Sequence, residues 1–136
     1  MRIFIDGACP GNGTQSAQAG WGIVVFDNKD KFVYQDSGKV AGRQTNNRAE
    51  LKALLESLKV IKNQMPEKAE ILSDSQLLVN GVLGRSKRQA NRDIWTEIEE
   101  LFINLRGDVA LSIRHVPREE NKSADRLATQ AAHSLI

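Results

Sequence analysis

The change of pattern at Thr45 limits the folds open to this chain more than any other feature. Upstream of it, three β-rich runs follow one another with no helical stretch between them: Arg2–Ile5, Gly20–Phe26 and Lys31–Val40. Asp6-Gly7 and Pro10-Gly11-Asn12-Gly13 close the first run, and Asp27-Asn28 separate the second from the third, all with turn-forming residues. Three such strands form an antiparallel meander. Downstream, Leu51, Leu54, Leu55 and Leu58 recur at i, i+3, i+4, i+7, the spacing of one helix face. Pro66 marks the end of the connection that follows. Ala69–Ser73 is then a short strand, and a helix opening at Asp74-Ser75 carries Leu77, Leu78, Val82 and Leu83. Asn91 is placed to cap another helix, with Ile94, Ile98, Leu101, Phe102 and Leu105 on one stripe. Val109–Arg114 makes a last strand before a helix bearing Ala124, Leu127, Ala128, Ala131 and Leu135. The order βββαβααβα predicts an α/β fold, a mixed sheet with helices on its faces. Sites in such sheets gather at the carboxyl ends of strands, and Asp6 and Asp74 each follow a predicted strand.

The 136 residues suit one domain, 1–136, which hides roughly two-thirds of its unfolded surface. A single cysteine, Cys9, excludes an intramolecular disulfide and suits a reducing compartment. It also has no thiol or histidine near it in sequence with which to hold a metal. No stretch has the apolar length of a membrane span, and Asp6 interrupts the first apolar run, which is therefore not a signal peptide. A cytoplasmic, monomeric protein with no membrane partner is the expectation. Formal charge is only +2, with 19 Lys and Arg against 17 Asp and Glu. A basic face is compatible with that balance where several acids are gathered at one site. Trp21 and Trp95 fit core positions in a strand and a helix.

Four acids stand in distinctive contexts: Asp6 in IFIDGACPGNG, Glu50 in RQTNNRAEL, Asp74 in ILSDSQLLVNG and Asp125 in HVPREENKSADRLA. Each alone has an ordinary explanation. Asp6 reads as a turn residue, Asp74 as a helix cap, Glu50 and Asp125 as solvated helix residues. At about 100° per residue, however, Glu50 and Asp125 both fall at the border between the apolar face and solvent, where a rooted ligand belongs. Brought together, such carboxylates suit a hard cation such as Mg²⁺. Amide side chains flank them: Asn12 in the Gly-rich loop, Asn46 and Asn47 ahead of Glu50. Loops of this kind suit phosphate and sugar hydroxyls, with turn formation and capping as the plain alternative. The Gly-rich loop lacks the Gly-Lys-Ser/Thr of a P-loop.

Taken jointly and in this order, DG(x)₄NG, TNNRAEL, SDSQ and ENKSADRLA resemble ribonuclease H of type 1 over nearly the whole chain. The wording HVPREENKSAD is closer to the short archaeal and reverse-transcriptase-like branch than to the long bacterial type. The resemblance implies the ribonuclease H-like fold, a five-stranded mixed sheet of order 3-2-1-4-5. It implies endonucleolytic cleavage of the RNA strand of RNA–DNA hybrids, leaving 3′-hydroxyl and 5′-phosphate ends, with two Mg²⁺ or Mn²⁺ ions per site. By position, Asp6, Glu50, Asp74 and Asp125 fall on the metal ligands, with Asp6 the candidate to bridge the two ions. Asn12, Asn46 and Asn47 fall on minor-groove contacts that include RNA ribose hydroxyls. Arg43, Thr45 and Asn91 match a pocket for a phosphate of the DNA strand. His115, six residues before Asn121, matches a histidine that assists water delivery or product release. Arg118 is its nearby polar substitute, and a strand-end structural role for His115 stands beside the catalytic one.

Two departures bear on substrate. Only Gly84–Ala90, with Arg85, Lys87 and Arg88, occupies the place of a long basic protrusion, so it reads as a solvated turn or a weak clamp. Leu77 stands where relatives of this family place an aromatic lining the DNA channel. Cleavage of double-stranded RNA or RNA–DNA junctions is therefore a second reading, and a non-catalytic nucleic-acid-binding module a third.

Overall fold

A computed structural model describes residues 1–85 and 90–134; Lys87, Arg88 and Leu135, named above, lie outside the described residues. The elements are β1 (Arg2–Ala8), β2 (Gly20–Phe26), β3 (Phe32–Lys39), α1 (Asn46–Gln64), β4 (Lys68–Ser73), α2 (Gln76–Val82), α3 (Arg92–Leu105), β5 (Ala110–His115) and α4 (Lys122–His133). A 3₁₀ turn, Arg118–Glu120, leads into α4. The strands lie in the order β3-β2-β1-β4-β5. β1 pairs antiparallel with β2, and β2 with β3, while β1–β4 and β4–β5 are parallel. The expected mixed sheet is thus the observed one.

Its two faces are covered differently. On one, Ile3, Ile5, Ile23 and Val25 meet Leu54, Leu55, Leu58 and Ile61 of α1 and Ile94, Trp95 and Ile98 of α3 in a single buried cluster. Each such side chain contributes about 1.5–3 kcal/mol on burial, so this cluster is the main source of stability. The other face is covered by α4, which buries Ala124, Ala128 and Ala132 completely. Gly22 explains how: a Cβ there would sit 2.6 Å from Ala124 O and 2.8 Å from Ala128 N. Bare backbone on β2 lets an alanine-lined helix lie directly on the strand.

Three expectations change. β1 does not end at Ile5 but continues through Asp6 and Gly7, which pair with Gly22 and Trp21. The ladder offered by β2 outweighs the turn preference of Asp-Gly. In α2, Leu78 is buried but Leu77 is 57% exposed, so Leu77 belongs to the surface and not to the apolar stripe. Asn91 occupies the cap position of α3 with a left-handed φ of 59° and makes no capping bond. Thr45 and Ser75 do cap, accepting from Arg48 N at 3.2 Å and Leu78 N at 3.1 Å.

Candidate metal centre and nucleic-acid interface

The register of the sheet brings the acids together. Ile5 of β1 pairs with Ser73 of β4 in parallel, so the next residue in each segment, Asp6 on β1 and Asp74 just past the end of β4, extends from neighbouring positions. Glu50 arrives from α1. A Cβ on Gly7 would lie 2.5 Å from Ala49 C, so only glycine allows the first turn of α1 this close to β1. The result is that ligand oxygens of Asp6, Glu50 and Asp74 lie within 4.8 Å of one another. Asp6 is 6% exposed and Glu50 8%. Asp125 approaches from α4, exposed at the rim, close enough to Asp6 to help raise the pKa of that carboxyl. It is not one of the three mutually close groups.

Crowding of like charges in a buried setting has the expected electrostatic consequence. Burial, then the negative charges of Asp74 and Glu50 and the contact with Asp125, push the Asp6 carboxyl up to about 8. Burial likewise raises Glu50 to about 7, with Asp74 adding to the effect. A hydrogen bond from Ser75 and the positive charge of Arg118 act in the opposite direction. Such a nest holds protons near neutral pH unless a cation replaces them. Its donors are all carboxylate oxygens, the set a hard divalent ion prefers, so the residues fit Mg²⁺ or Mn²⁺.

Two supporting residues escaped the sequence reading. Ser75 caps α2 and stands beside Glu50, where its hydroxyl lowers the pKa of that carboxyl. Asn121, 1% exposed, donates through Nδ2 to Ile5 O at 2.8 Å and to Asp74 Oδ2 at 3.3 Å. It therefore joins the entry of α4 to β1 and steadies one ligand. In sequence it served only to mark a spacing, since Asn before a helix reads as a cap. His115 ends β5, exposed, with Nε2 3.2 Å from the main-chain oxygen of Asp74. Arg118 lies on the 3₁₀ turn, and its charge is felt at Glu50.

Beside this nest the polar loops converge on the start of α1. Asn12 Oδ1 accepts from Asn46 N at 3.0 Å, which ties the Gly-rich loop to the helix. Asn46 and Asn47 are exposed on its first turn. Arg43 is exposed on the preceding loop. Gln44 shapes that loop by accepting from Ala19 N at 2.6 Å and donating to Val40 O and Gly42 O. Thr45 and Asn91 are joined by Arg48, whose main-chain N–H bonds Thr45 and whose Nη1 bonds Asn91 Oδ1 at 3.3 Å. Arg48 and Gln44 were legible only as letters of a motif; their roles depend on contacts between distant segments.

Comparison with known proteins agrees with this geometry. The RNase H family description matches residues 1–133. A ribonuclease H of Thermoanaerobacter sp. strain X514 is 31% identical over 144 residues, covering 96% of this chain and 88% of that protein. The crystal structure of RNase H1 from the halophilic archaeon Halobacterium salinarum NRC-1 superposes with a TM-score of 0.80 at 31% identity, covering 96% of this chain and 95% of that one. LC11-RNase H1, solved in complex with an RNA/DNA hybrid, gives a TM-score of 0.83 at 28% identity, covering 96% and 95% of the two chains. Whole-length sequence agreement, the shared sheet order and the same overall shape place this chain in the RNase H family of ribonucleases.

Proposed function

We propose that this chain, as a single domain, is a metal-dependent endonuclease that hydrolyses the RNA strand of RNA–DNA hybrids, leaving 3′-hydroxyl and 5′-phosphate ends. The observation that carries the reading is the convergence of Asp6, Glu50 and Asp74 within 4.8 Å beside loops rich in asparagine. Asp6, Glu50, Asp74 and the rim residue Asp125 would hold two Mg²⁺ or Mn²⁺ ions. Bound there, such ions supply an activated water and neutralise the charge on the departing oxygen.

The chain's own groups do the rest. Asn121 fixes the orientation of Asp74, and Ser75 stabilises the charged form of Glu50, so the carboxylates need not reorganise during the reaction. The carboxamides of Asn12, Asn46 and Asn47 can both donate to and accept from ribose 2′-hydroxyls, which the wide minor groove of an A-like duplex displays. Arg43, Thr45 and Asn91 take a phosphate of the DNA strand. None of these contacts reads a base edge, so cleavage is insensitive to sequence. His115, beside the main chain of Asp74, is placed to hand on a proton or assist release of the cleaved end. Exposed Leu77 offers no ring to pack along the DNA strand, which favours some cleavage of double-stranded RNA as well.

The test is direct. Labelled RNA–DNA hybrid, duplex RNA and duplex DNA are incubated with Mg²⁺ or Mn²⁺, and cut RNA is resolved by length. Asp6→Asn and Asp74→Asn should each lower the rate by on the order of 10³-fold, equivalent to several kcal/mol of lost charge stabilisation, while hybrid is still bound. Binding without cutting by the unaltered protein would make it a non-catalytic module. Equal rates on duplex RNA would make hybrid selectivity the wrong reading.

A further inference from the structure

We propose that Arg48 is a positioning residue that sets the hydrogen-bond polarity of the pocket for the DNA-strand phosphate. The inference rests on the nuclease reading above and adds to it the device that selects an anion there. A carboxamide presents an acceptor on one side and two donors on the other, in nearly the same shape. A phosphate oxygen accepts only. Whichever way Asn91 is turned therefore decides whether it attracts or repels the backbone.

Arg48 makes that choice. A guanidinium has donors and no acceptor, so the atom of Asn91 facing Nη1 must be Oδ1, as found at 3.3 Å. Among the described residues nothing accepts from Nδ2, whose two N–H groups are left for a ligand. The same residue orients Thr45, whose hydroxyl oxygen accepts from Arg48 N at 3.2 Å and so keeps its hydrogen to donate. Arg48 is itself held on every side. Its Nη1 and Nη2 grip both oxygens of Asp93 at 3.0 and 2.7 Å, and Nε donates to Ala41 O at 2.9 Å. Gly42, at a φ of +84°, lies so close that a Cβ there would be 3.1 Å from Nη2. The loop carrying Arg43, the cap of α1 and the start of α3 thus meet on one planar cation. Lysine has a single nitrogen and cannot span these acceptors.

The plain alternative is that Arg48 only ties α1 to α3. Asn91→Asp separates the two. A carboxylate keeps the acceptor for Arg48 and strengthens that tie, yet turns a negative oxygen toward the incoming phosphate. The melting temperature should be unchanged or higher, and KM for the hybrid should rise about tenfold or more, the loss expected for a hydrogen bond to a charged group. The value of kcat should stay within about threefold, because the carboxylate nest is untouched. Arg48→Lys should raise KM in the same direction but less, since the amide is freed and not inverted. An unchanged KM for Asn91→Asp, or a fall in kcat and melting temperature with KM constant, would overturn the proposal. Absence of hybrid cleavage by the unaltered protein would instead sink the nuclease reading, a separate failure seen before any variant is made.

Discussion

Asn121 carries a disproportionate share of the site's order for one neutral side chain. Its Nδ2 serves both the main-chain oxygen of Ile5, beside Asp6, and the carboxylate of Asp74. The main chain of β1 just before Asp6 and the carboxylate of Asp74 just past β4 are thereby referred to the same buried amide. Asn121→Ala leaves those acceptors without their donor in a buried setting, at a cost of about 1–3 kcal/mol. The urea midpoint should fall by that amount with the slope of the transition unchanged. Cleavage should fall as well, at temperatures where the variant is fully folded, because Asp74 is no longer held. A variant with the stability of the parent would show that the amide bonds are incidental.

At the scale of elements, the contact between β2 and α4 decides where Asp125 can be. Ala124 and Ala128 lie on the bare backbone of Gly22, and Asp125 follows Ala124 directly. Gly22→Ala places a methyl where Ala124 O already stands, 2.6 Å away, so the helix must lift from the sheet. Overpacking of this kind costs about 1–3 kcal/mol. The variant should melt earlier and, when folded, lose activity by displacement of Asp125 from Asp6. An equal loss in Ala110→Gly, at the exposed start of β5, would mean that any change in the sheet has this effect. The same contact shows what could be read in advance. The leucines of α1 repeat at helical spacing and the strands fall at the expected positions, so element order and the buried face of α1 followed from local pattern, whereas the sheet order came from the family resemblance. The reach of β1 past Asp6 did not, because it depends on Gly22 and Trp21, which lie 14–16 residues further along in sequence as pairing partners. Arg48, Gln44 and Asn121 were invisible as supports for the same reason: each acts on a segment far away in the chain.

For the molecule as a whole, the carboxylate nest couples stability to pH and to divalent ions. Asp6 has an ordinary value of 3.8 and is raised to about 8 in the fold; Glu50 goes from 4.5 to about 7. Between those limits the native protein keeps protons that the unfolded chain has released. Stability is therefore greatest below the unfolded values and declines as pH climbs through the window, by at most about 1.4 kcal/mol per pH unit for each proton retained. Above about 8 both states are ionised and the full cost of repulsion is present. A cation that binds only the folded form removes that repulsion and displaces the protons, adding stability in proportion to the logarithm of its concentration. In a chelator the melting temperature should thus fall between about pH 4 and about pH 8. Millimolar Mg²⁺ or Mn²⁺ should raise it, and by more at the alkaline end, where no proton competes. Asp6→Asn should flatten the chelator profile and melt above the parent at alkaline pH, because the most perturbed charge is gone. Thermal scans of both proteins across that range, with and without the ion, decide the matter: a parallel decline in the variant would place the origin of the pH dependence outside the nest.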